Sequence, residues 1–357
     1  MVSEAAGRDR ATATATPSPL RPVRLPRRWL VVALAGLVVA VLFGMTVGPA
    51  GLPLRGVVLE IVNHVPGVEL DGGLDDREAA VLWQLRAPRV VLGLLVGAML
   101  AIAGAGYQGV FRNPLADPYL LGVAAGAGLG ATFAIVSGGN RALVPLAAFV
   151  GGVAGVAATY ALGRGVGGRS TNSLILAGVA VAAFLTSVQT YVNQRNADSL
   201  REVYGWILGR LLTAGWSEVV IVLPYVLVAG AVIFAHRRLL DVLSVGPDEA
   251  GTLGVPAARV RLVVVLAATL GTAAAVSVSG LIGFVGIVVP HIVRMLAGSS
   301  YRVVLPLSAL VGGTFLVVSD LAARTLVSPG ELPVGVVTAF VGAPFFTLVL
   351  RSSRRAW

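Results

Sequence analysis

Long stretches without a charged residue dominate this chain and limit what it can fold into. Examples with no Asp, Glu, Lys or Arg are residues 90–111, 118–140, 142–163, 170–194 and 332–350. A helix rises about 1.5 Å per residue, so each stretch is long enough to cross a hydrocarbon core about 30 Å thick. Helices of soluble domains keep a polar face and have no need of so many such stretches. The pattern predicts an all-α polytopic membrane protein.

The apolar sequence divides into about ten transmembrane helices. Charged residues make up 12% of the chain, against about 25% in soluble proteins. The ten predicted spans are 29–48, 81–110, 118–137, 143–163, 174–194, 216–235, 262–281, 282–296, 303–321 and 333–350. Residues 262–293 are uncharged throughout and too long for one span. Gly280, Gly283, Gly286 and Pro290 are therefore expected to interrupt them.

Arginine placement predicts the orientation of the chain in the membrane. With the amino terminus inside, 18 of the 27 basic residues fall in inner segments and 11 of the 17 acids fall in outer ones. We expect residues 1–28 to be a disordered cytoplasmic tail, 29–351 the transmembrane domain, and 352–357 a second cytoplasmic tail. Residues 50–80 are expected to be an outer loop with little structure. The positive charge reflects orientation and gives no reason to expect nucleic-acid binding.

Residues that could drive chemistry are scarce. The chain has no lysine, and therefore lacks the P-loop lysine of an ATP-hydrolysing Walker A site. It has no cysteine, and His64, His236 and His291 are too far apart to suggest a metal site. An ion-coupled secondary transporter is the main alternative, but its intramembrane acids are nearly missing here. An intramembrane enzyme would need a nucleophile beside a base, which the sequence does not suggest. These observations predict a transport pathway without an energy source of its own.

Motifs in both halves of the chain are more specific than the apolar pattern. They are LRAPR at residues 85–89, QGVFRNPLADP at 108–118, GLIGFVGIVVPHIVR at 280–294, ELPVGVVT at 331–338 and GAP at 342–344. In order and spacing, from about Trp83 to Arg351, the chain closely resembles the FecCD family. Members of that family are permease subunits of ABC importers for ferric siderophores, haem and vitamin B12.

The resemblance implies a type II ABC importer permease fold and a set of partners. The permease would pair with a second permease subunit as a homodimer or heterodimer. An extracytoplasmic substrate-binding protein would deliver a ferric siderophore or related metal chelate, and two cytoplasmic ABC ATPase subunits would supply the energy. The implied location is the cytoplasmic membrane, and no cofactor of the permease is implied. An inverted repeat is also expected, because the second and seventh spans each end in a turn containing glycine and proline.

The resemblance assigns a docking role to three arginines on the outer side. Arg86, Arg89 and Arg324 match family arginines that meet acidic residues on the lobes of the binding protein, so they are expected to face outward. Arginine suits this role because its planar guanidinium stays charged and donates two hydrogen bonds to one carboxylate. Pro88 is expected to hold Arg86 and Arg89 in an extended loop. The alternative is that these arginines only anchor the chain at lipid headgroups.

On the inner side, the resemblance implies a coupling helix and a gate. Proline followed by two acids favours a helix start, and a glycine favours its end. In the family this segment seats on the ATPase, and the alternative is a solvated loop helix. The residues expected at the contact are Asp248, Glu249, Ala250, Leu253, Gly254 and Val255. Ser170, Thr171 and Asn172 are expected to help close the pathway near the inner surface, although helix capping explains the same residues.

Overall fold

The computed structural model describes residues 25–48, 51–68, 70, 73–165, 171–211, 215–327 and 330–353, and over these residues it contains helices and turns but no β-strand. Two 3-10 turns, Pro118–Leu121 and Ala197–Ser199, accompany the longer helices. The helices of this described part are α1 (Arg27–Thr46), α2 (Leu54–Asn63), α3 (Asp76–Phe111), α4 (Val123–Val136), α5 (Leu143–Gly165), α6 (Thr171–Arg195), α7 (Leu200–Ile207), α8 (Trp216–Ala235), α9 (Arg237–Leu243), α10 (Pro247–Thr252), α11 (Ala257–Ser279), α12 (Val285–Ala297), α13 (Tyr301–Thr325) and α14 (Val334–Ser353).

Ten of these helices are apolar and correspond to the ten predicted spans. By length and composition, α1, α3, α5, α6, α8, α11 and α13 are each able to cross a membrane, while α4, α12 and α14 are shorter apolar helices. The polytopic all-α fold is therefore confirmed. We call the end of the bundle that holds Thr46 and Arg86 the outer end, following the orientation expected from the arginines, and the opposite end the inner end.

The third predicted span is not one continuous helix. A 3-10 turn, Pro118–Leu121, comes first, and Asp117 caps it by accepting the Tyr119 N–H at 2.8 Å. Gly122 then takes a φ of +83°, a conformation that glycine adopts without steric cost, and α4 follows it. The helix α4 is shorter than the predicted span because residues 118–122 form the 3-10 turn and the glycine that follows it.

A second break lies between α11 and α12, close to where the sequence predicts it. The backbone leaves helical geometry over residues 280–284, and both Gly280 and Phe284 have a φ of +69°. The two breaks meet, because the Tyr119 hydroxyl donates to the Ile282 carbonyl at 3.0 Å and accepts from the Ile282 N–H at 3.2 Å. In each half, a long helix is followed by a break and a short helix, as an inverted repeat requires.

α3 runs through the centre of the bundle, where α8, α11, α12 and α13 pack against it. A Cβ added to Gly97 would meet the Gly312 carbonyl, and one added to Gly104 would meet the backbone of Gly286. Small residues allow this backbone-to-backbone approach in membrane helices. The central helix is thus held by direct contact with α12 and α13.

The outer connection after α1 has more structure than the sequence predicts. It contains α2, and α3 begins behind a capping box in which Asp75 and Glu78 each accept the other's backbone N–H. Trp83 Nε1 donates to Glu60 at 3.1 Å, which ties α2 to α3. The expectation of little structure over residues 50–80 is therefore wrong, because α2 buries Val57 against its neighbours.

Candidate docking, coupling and gating sites

Arg86 and Arg89 lie in a helix and not in the loop that the sequence predicts. α3 passes without a break from π-helical geometry over Val81–Arg86 into α-helical geometry over Ala87–Phe111. Pro88 sits in the first turn of the α-helical part, directly after the wider turn. Proline has no N–H to donate within the helix, and the Trp83 carbonyl, five residues earlier, accepts from Trp216 Nε1 at 2.8 Å instead. The expectation that Pro88 holds the arginines in an extended pose is therefore wrong.

Arg89 is held by two carboxylates of its own chain. Its Nη2 lies 2.8 Å from Asp320 Oδ1 and 2.9 Å from Glu331 Oε2. Its Nε also donates to both Asp320 oxygens, at 3.1 and 3.0 Å. The Arg89 side chain is 11% exposed and that of Glu331 is 29% exposed. The cluster is therefore open to a partner mainly on the Glu331 side.

Arg86 and Arg324 point into the protein. Arg86 Nη1 donates to the carbonyls of Met45 and Thr46, both at 2.7 Å, and Arg324 Nη2 donates to the Gly44 carbonyl at 2.6 Å. Each arginine is only 5% exposed. The last carbonyls of a helix have no partner within the helix, so these two guanidinium groups complete the carboxyl end of α1. The expectation of outward-facing arginines is wrong for Arg86 and Arg324.

Sequence reasoning missed the acid that organises this cluster. Asp320 is 3% exposed and lies between Arg89 and Arg324, whose Nε is 3.7 Å from Asp320 Oδ2. A charge-bearing residue buried in a membrane helix needs such a partner. The signal was available, because Asp320 and Arg324 are four residues apart and so share one face of a helix.

At the inner end, α10 is a short helix enclosed by two glycines with positive φ. Gly246 precedes it with a φ of +144°, and Gly254 follows it with a φ of +75°. The Val255 N–H donates to the Ala250 carbonyl at 2.9 Å and closes the last turn. Six residues do not make a stable helix in isolation. The two glycines and the buried Ala250 therefore set where this helix begins and ends.

The α10 segment presents a mixed surface. Asp248 and Glu249 lie in its first turn, as the sequence predicts, and both are exposed. Leu253 is 67% exposed and Val245 is 59% exposed, beyond opposite ends of the helix. The segment therefore exposes two acids in its first turn and one aliphatic side chain beyond each end.

A chain of polar contacts connects this segment to the middle of the bundle. Asp241 of α9 accepts the Tyr301 N–H at 2.6 Å. The Arg294 guanidinium lies 5.5 Å from the centre of the Tyr301 ring and donates to the Gln108 side chain. Gln108 Nε2 in turn donates to the Gly286 carbonyl at 3.1 Å. Polar contacts therefore run from α9 through Tyr301 of α13, Arg294 of α12 and Gln108 of α3 to the first turn of α12.

Comparison with known proteins now decides the family. The sequence profile of the FecCD transport family matches residues 36–352. The chain belongs to the FecCD transport family. It is 38% identical over 354 residues to the cobalamin import system permease protein BtuC of Halobacterium salinarum, covering 90% of this chain and 95% of that protein. It is 36% identical over 338 residues to the iron(3+)-hydroxamate import system permease protein FhuB of Bacillus subtilis, covering 91% and 84%.

A solved structure agrees with the fold of this FecCD protein. It is an ABC transporter of the metal-chelate type in an inward-facing conformation, with a TM-score of 0.81 and 28% sequence identity. The match covers 92% of this chain and 100% of that one. The chain is therefore a multi-pass permease subunit of an ABC importer with the type II permease fold.

The expected gate lies partly beyond the described residues. Ser170 is outside them, and Thr171 is the first residue of α6. Asn172 follows it and is exposed. Both the gate and the helix-capping interpretation place these residues at the start of a helix, so their position does not distinguish the two. The gate stays a prediction.

Two helices of this FecCD protein expose faces that the described residues do not cover. Phe184 on α6 is 68% exposed, and Phe340 on α14 is 73% exposed. α6 also exposes Ser187 and Thr190, whose hydroxyls donate to carbonyls one turn earlier at 2.8 and 2.9 Å. Such internal bonds let hydroxyl groups occupy a membrane helix. The α6 face therefore mixes apolar and polar side chains.

Proposed function

We propose that this FecCD permease carries a metal chelate of the class that includes ferric siderophores, haem and cobalamin. The relatives named above import cobalamin and iron(3+)-hydroxamate, and the similar solved structure is of the metal-chelate type. A chelated metal arrives with its ligands and needs none from the pathway. Among the described residues, no group of three or more His, Cys, Asp or Glu is placed to hold a metal ion. The pathway would therefore pass the chelate as a whole.

The structure of the α10 segment is the main support for the proposed transport mechanism. A short helix fixed at both ends, with Leu253 exposed beside it, gives an ATPase a rigid feature to hold and move. We expect each of two cytoplasmic ATPase subunits to receive one such helix. The proposed contact residues are Asp248, Glu249, Ala250, Leu253, Gly254 and Val255. Their motion would reach the pathway through the contacts that begin at Asp241.

We propose that the extracytoplasmic binding protein docks on the outer arginine cluster, with Arg89 as its contact. A carboxylate of the binding protein would replace Glu331, the more exposed partner of Arg89. Arg86 and Arg324 would support the site by holding the end of α1 and by balancing Asp320. An exposed ion pair contributes only about 0.2–1 kcal/mol, so the cluster would mainly set orientation and association rate.

A second permease subunit, identical or related, would cover the exposed faces of α6 and α14, with the pathway between the two subunits. Polar groups such as Ser187 and Thr190 suit a wet pathway better than a lipid-facing surface. Ser170, Thr171 and Asn172 would narrow this pathway at its inner end. In this arrangement residues 29–351 form the permease domain in the cytoplasmic membrane, and both tails, 1–28 and 352–357, are cytoplasmic.

Uptake by reconstituted vesicles tests the proposal. The chain, its partner ATPase and its binding protein are placed in proteoliposomes with ferric hydroxamate, haem or cobalamin. We expect accumulation of one chelate class that requires ATP and the binding protein. A partner ATPase with its P-loop lysine replaced by alanine is the matched control and should give no uptake. Uptake driven by a proton or sodium gradient without ATP would instead establish an ion-coupled secondary transporter.

A further inference from the structure

A cavity at the inner end of the bundle is not used by the transport mechanism above. Its volume is about 310 Å³, and it lies between the inner ends of α5, α6 and α11. Three arginines line it, Arg164, Arg259 and Arg261, together with Tyr160 and two leucines. None of the described lining residues is acidic.

Two of these arginines, Arg164 and Arg259, form no ion pair with an acidic residue in the part of the chain that the structure describes. No acidic residue occurs between residues 118 and 197 or between residues 250 and 319, the sequence ranges that include the cavity walls. A larger cavity at the outer end, of about 690 Å³, is different. It is lined by Arg141 and Arg210 together with Glu202 and Glu218, so its charges balance. The inner cavity therefore favours an anion, which the outer cavity does not.

A buried hydroxyl provides a second, independent indication of a ligand. Tyr160 Oη is buried and has no hydrogen-bond partner among the described residues. Arg261 and Arg164 are the charged groups that act on it electrostatically. A buried hydroxyl without a partner is costly, and such groups normally bond to the protein, to water or to a ligand. Beside these arginines, the natural acceptor for its proton is an anionic oxygen.

The remaining surface indicates that the anion carries an apolar chain. Leu174 and Leu262 form part of the cavity wall. Leu262 is 36% exposed, and Leu266, one turn closer to the membrane centre on the same face of α11, is 54% exposed. The arginines thus lie at the inner end, and an exposed aliphatic track leads from them into the membrane-spanning part of α11.

We propose that this cavity binds the phosphate of an anionic phospholipid from the inner leaflet. Arg164, Arg259 and Arg261 would hold the phosphate, and the Tyr160 hydroxyl would donate to one of its oxygens. One acyl chain would follow Leu262 and Leu266. Basic pockets between membrane helices on the cytoplasmic side are suited to anionic headgroups. Arginine is well matched to phosphate because its planar guanidinium donates two hydrogen bonds at once.

Native mass spectrometry of the full chain with its ATPase subunits tests this site. The complex is titrated with phosphatidylglycerol or with phosphatidylcholine, and the retained lipid is counted. The parent should prefer phosphatidylglycerol, and Arg164→Gln, Arg259→Gln and Arg261→Gln together should weaken its binding at least tenfold, since each cation near a surface contributes about fivefold. The matched control combines Arg237→Gln, Arg238→Gln and Arg351→Gln, which removes the same charge from exposed inner positions. It should keep the preference.

Two smaller changes keep the test decisive if the triple variant does not fold. Ala258→Trp fills the cavity while all three arginines remain, and it should also abolish the preference for phosphatidylglycerol. Tyr160→Phe removes only the hydroxyl and should weaken binding by about threefold to tenfold. Equal lipid retention by the cavity variants and the control would overturn the proposal. Displacement of the lipid by excess inorganic phosphate would also overturn it, because the site would then belong to a free anion.

Discussion

At the scale of single residues, the three arginines expected at the docking site have different roles. Arg89 pairs with Asp320 and Glu331, whereas Arg86 and Arg324 donate to the carbonyls that end α1. A buried guanidinium needs hydrogen-bond acceptors, which carboxylates supply to Arg89 and helix-end carbonyls supply to Arg86 and Arg324. Replacing all three arginines at once would therefore damage the fold and docking together. Separate variants distinguish the two roles.

Arg324→Gln should destabilise the outer end of the protein. The change leaves Asp320 with less positive charge and removes the donor to the Gly44 carbonyl. Breaking a buried ion pair from one side costs about 3–5 kcal/mol. Thermal unfolding of the detergent-purified chain measures the effect. Arg141→Gln, at a side chain that is 84% exposed, is the control and should unfold with the parent. Equal unfolding temperatures for all three proteins would contradict the assigned role of Arg324.

Arg89 and Glu331 should have opposite effects on docking. Arg89→Gln should weaken association with the binding protein, while Glu331→Gln should strengthen it by up to about fivefold, because the internal competitor for Arg89 is gone. Affinity is measured as salt rises, since the Debye length falls from about 10 Å at 0.1 M to about 3 Å at 1 M. The affinity of the Arg89→Gln protein should depend less on salt than that of the parent. If neither variant changes affinity or its salt dependence, these residues do not dock the partner.

At the scale of elements, the inner docking segment depends on its neighbours. α10 is too short to be stable alone and is joined to α9, which is anchored to α13 through Asp241 and the Tyr301 N–H. The next contacts lead through Arg294 and Gln108 to Gly286 in the first turn of α12. A displacement of α10 therefore has a physical route to the middle of the bundle.

Gly254→Glu should uncouple ATP hydrolysis from uptake without unfolding the permease. A Cβ at Gly254 meets no atom within 4 Å, so the new side chain has room, but its charge would lie at the proposed ATPase contact. The positive φ adds roughly 1 kcal/mol of strain. Gly138→Glu is a matched control, because Gly138 is also exposed, meets no atom within 4 Å of an added Cβ and has a similar φ of +65°, but lies at the outer end. Uptake per ATP is measured for both, and normal coupling by Gly254→Glu would refute the assignment.

At the scale of the whole molecule, the helices pack around α3. The proposed partner ATPase would supply the energy for transport. The two breaks meet beside this central helix through Tyr119 and Ile282, and Gly104 contacts the start of α12. Close backbone contact leaves little freedom for movement within the core. Transport should therefore involve displacement of whole helices more than loosening of the centre.

The purified chain should hydrolyse no ATP by itself. The reason is the lack of any lysine for a P-loop, together with the ten apolar helices that make up most of the described residues. Phosphate release is measured with and without the partner ATPase, in the same detergent. Hydrolysis should require the partner. Hydrolysis by a preparation free of any partner would contradict this prediction.

Features that depend on nearby residues could be predicted from the sequence. The ten apolar segments follow from runs of uncharged residues, and the break after α11 follows from Gly280. The start and end of α10 follow from Pro247 and Gly254 in the same way. Each of these is set by the hydrophobic effect or by backbone sterics within a few residues, and membrane spans add the requirement that the backbone bonds to itself.

Only the tertiary structure decided what the polar side chains do. Arg89 and Asp320 are 231 residues apart in the chain, and Arg324 and Gly44 are 280 residues apart. No local pattern gives such pairings, because they depend on which helix ends pack side by side. A buried guanidinium takes whichever acceptors that packing supplies, since an unmatched charge is too costly to leave. For this reason the sequence placed the arginines at the outer end but not the direction in which they point.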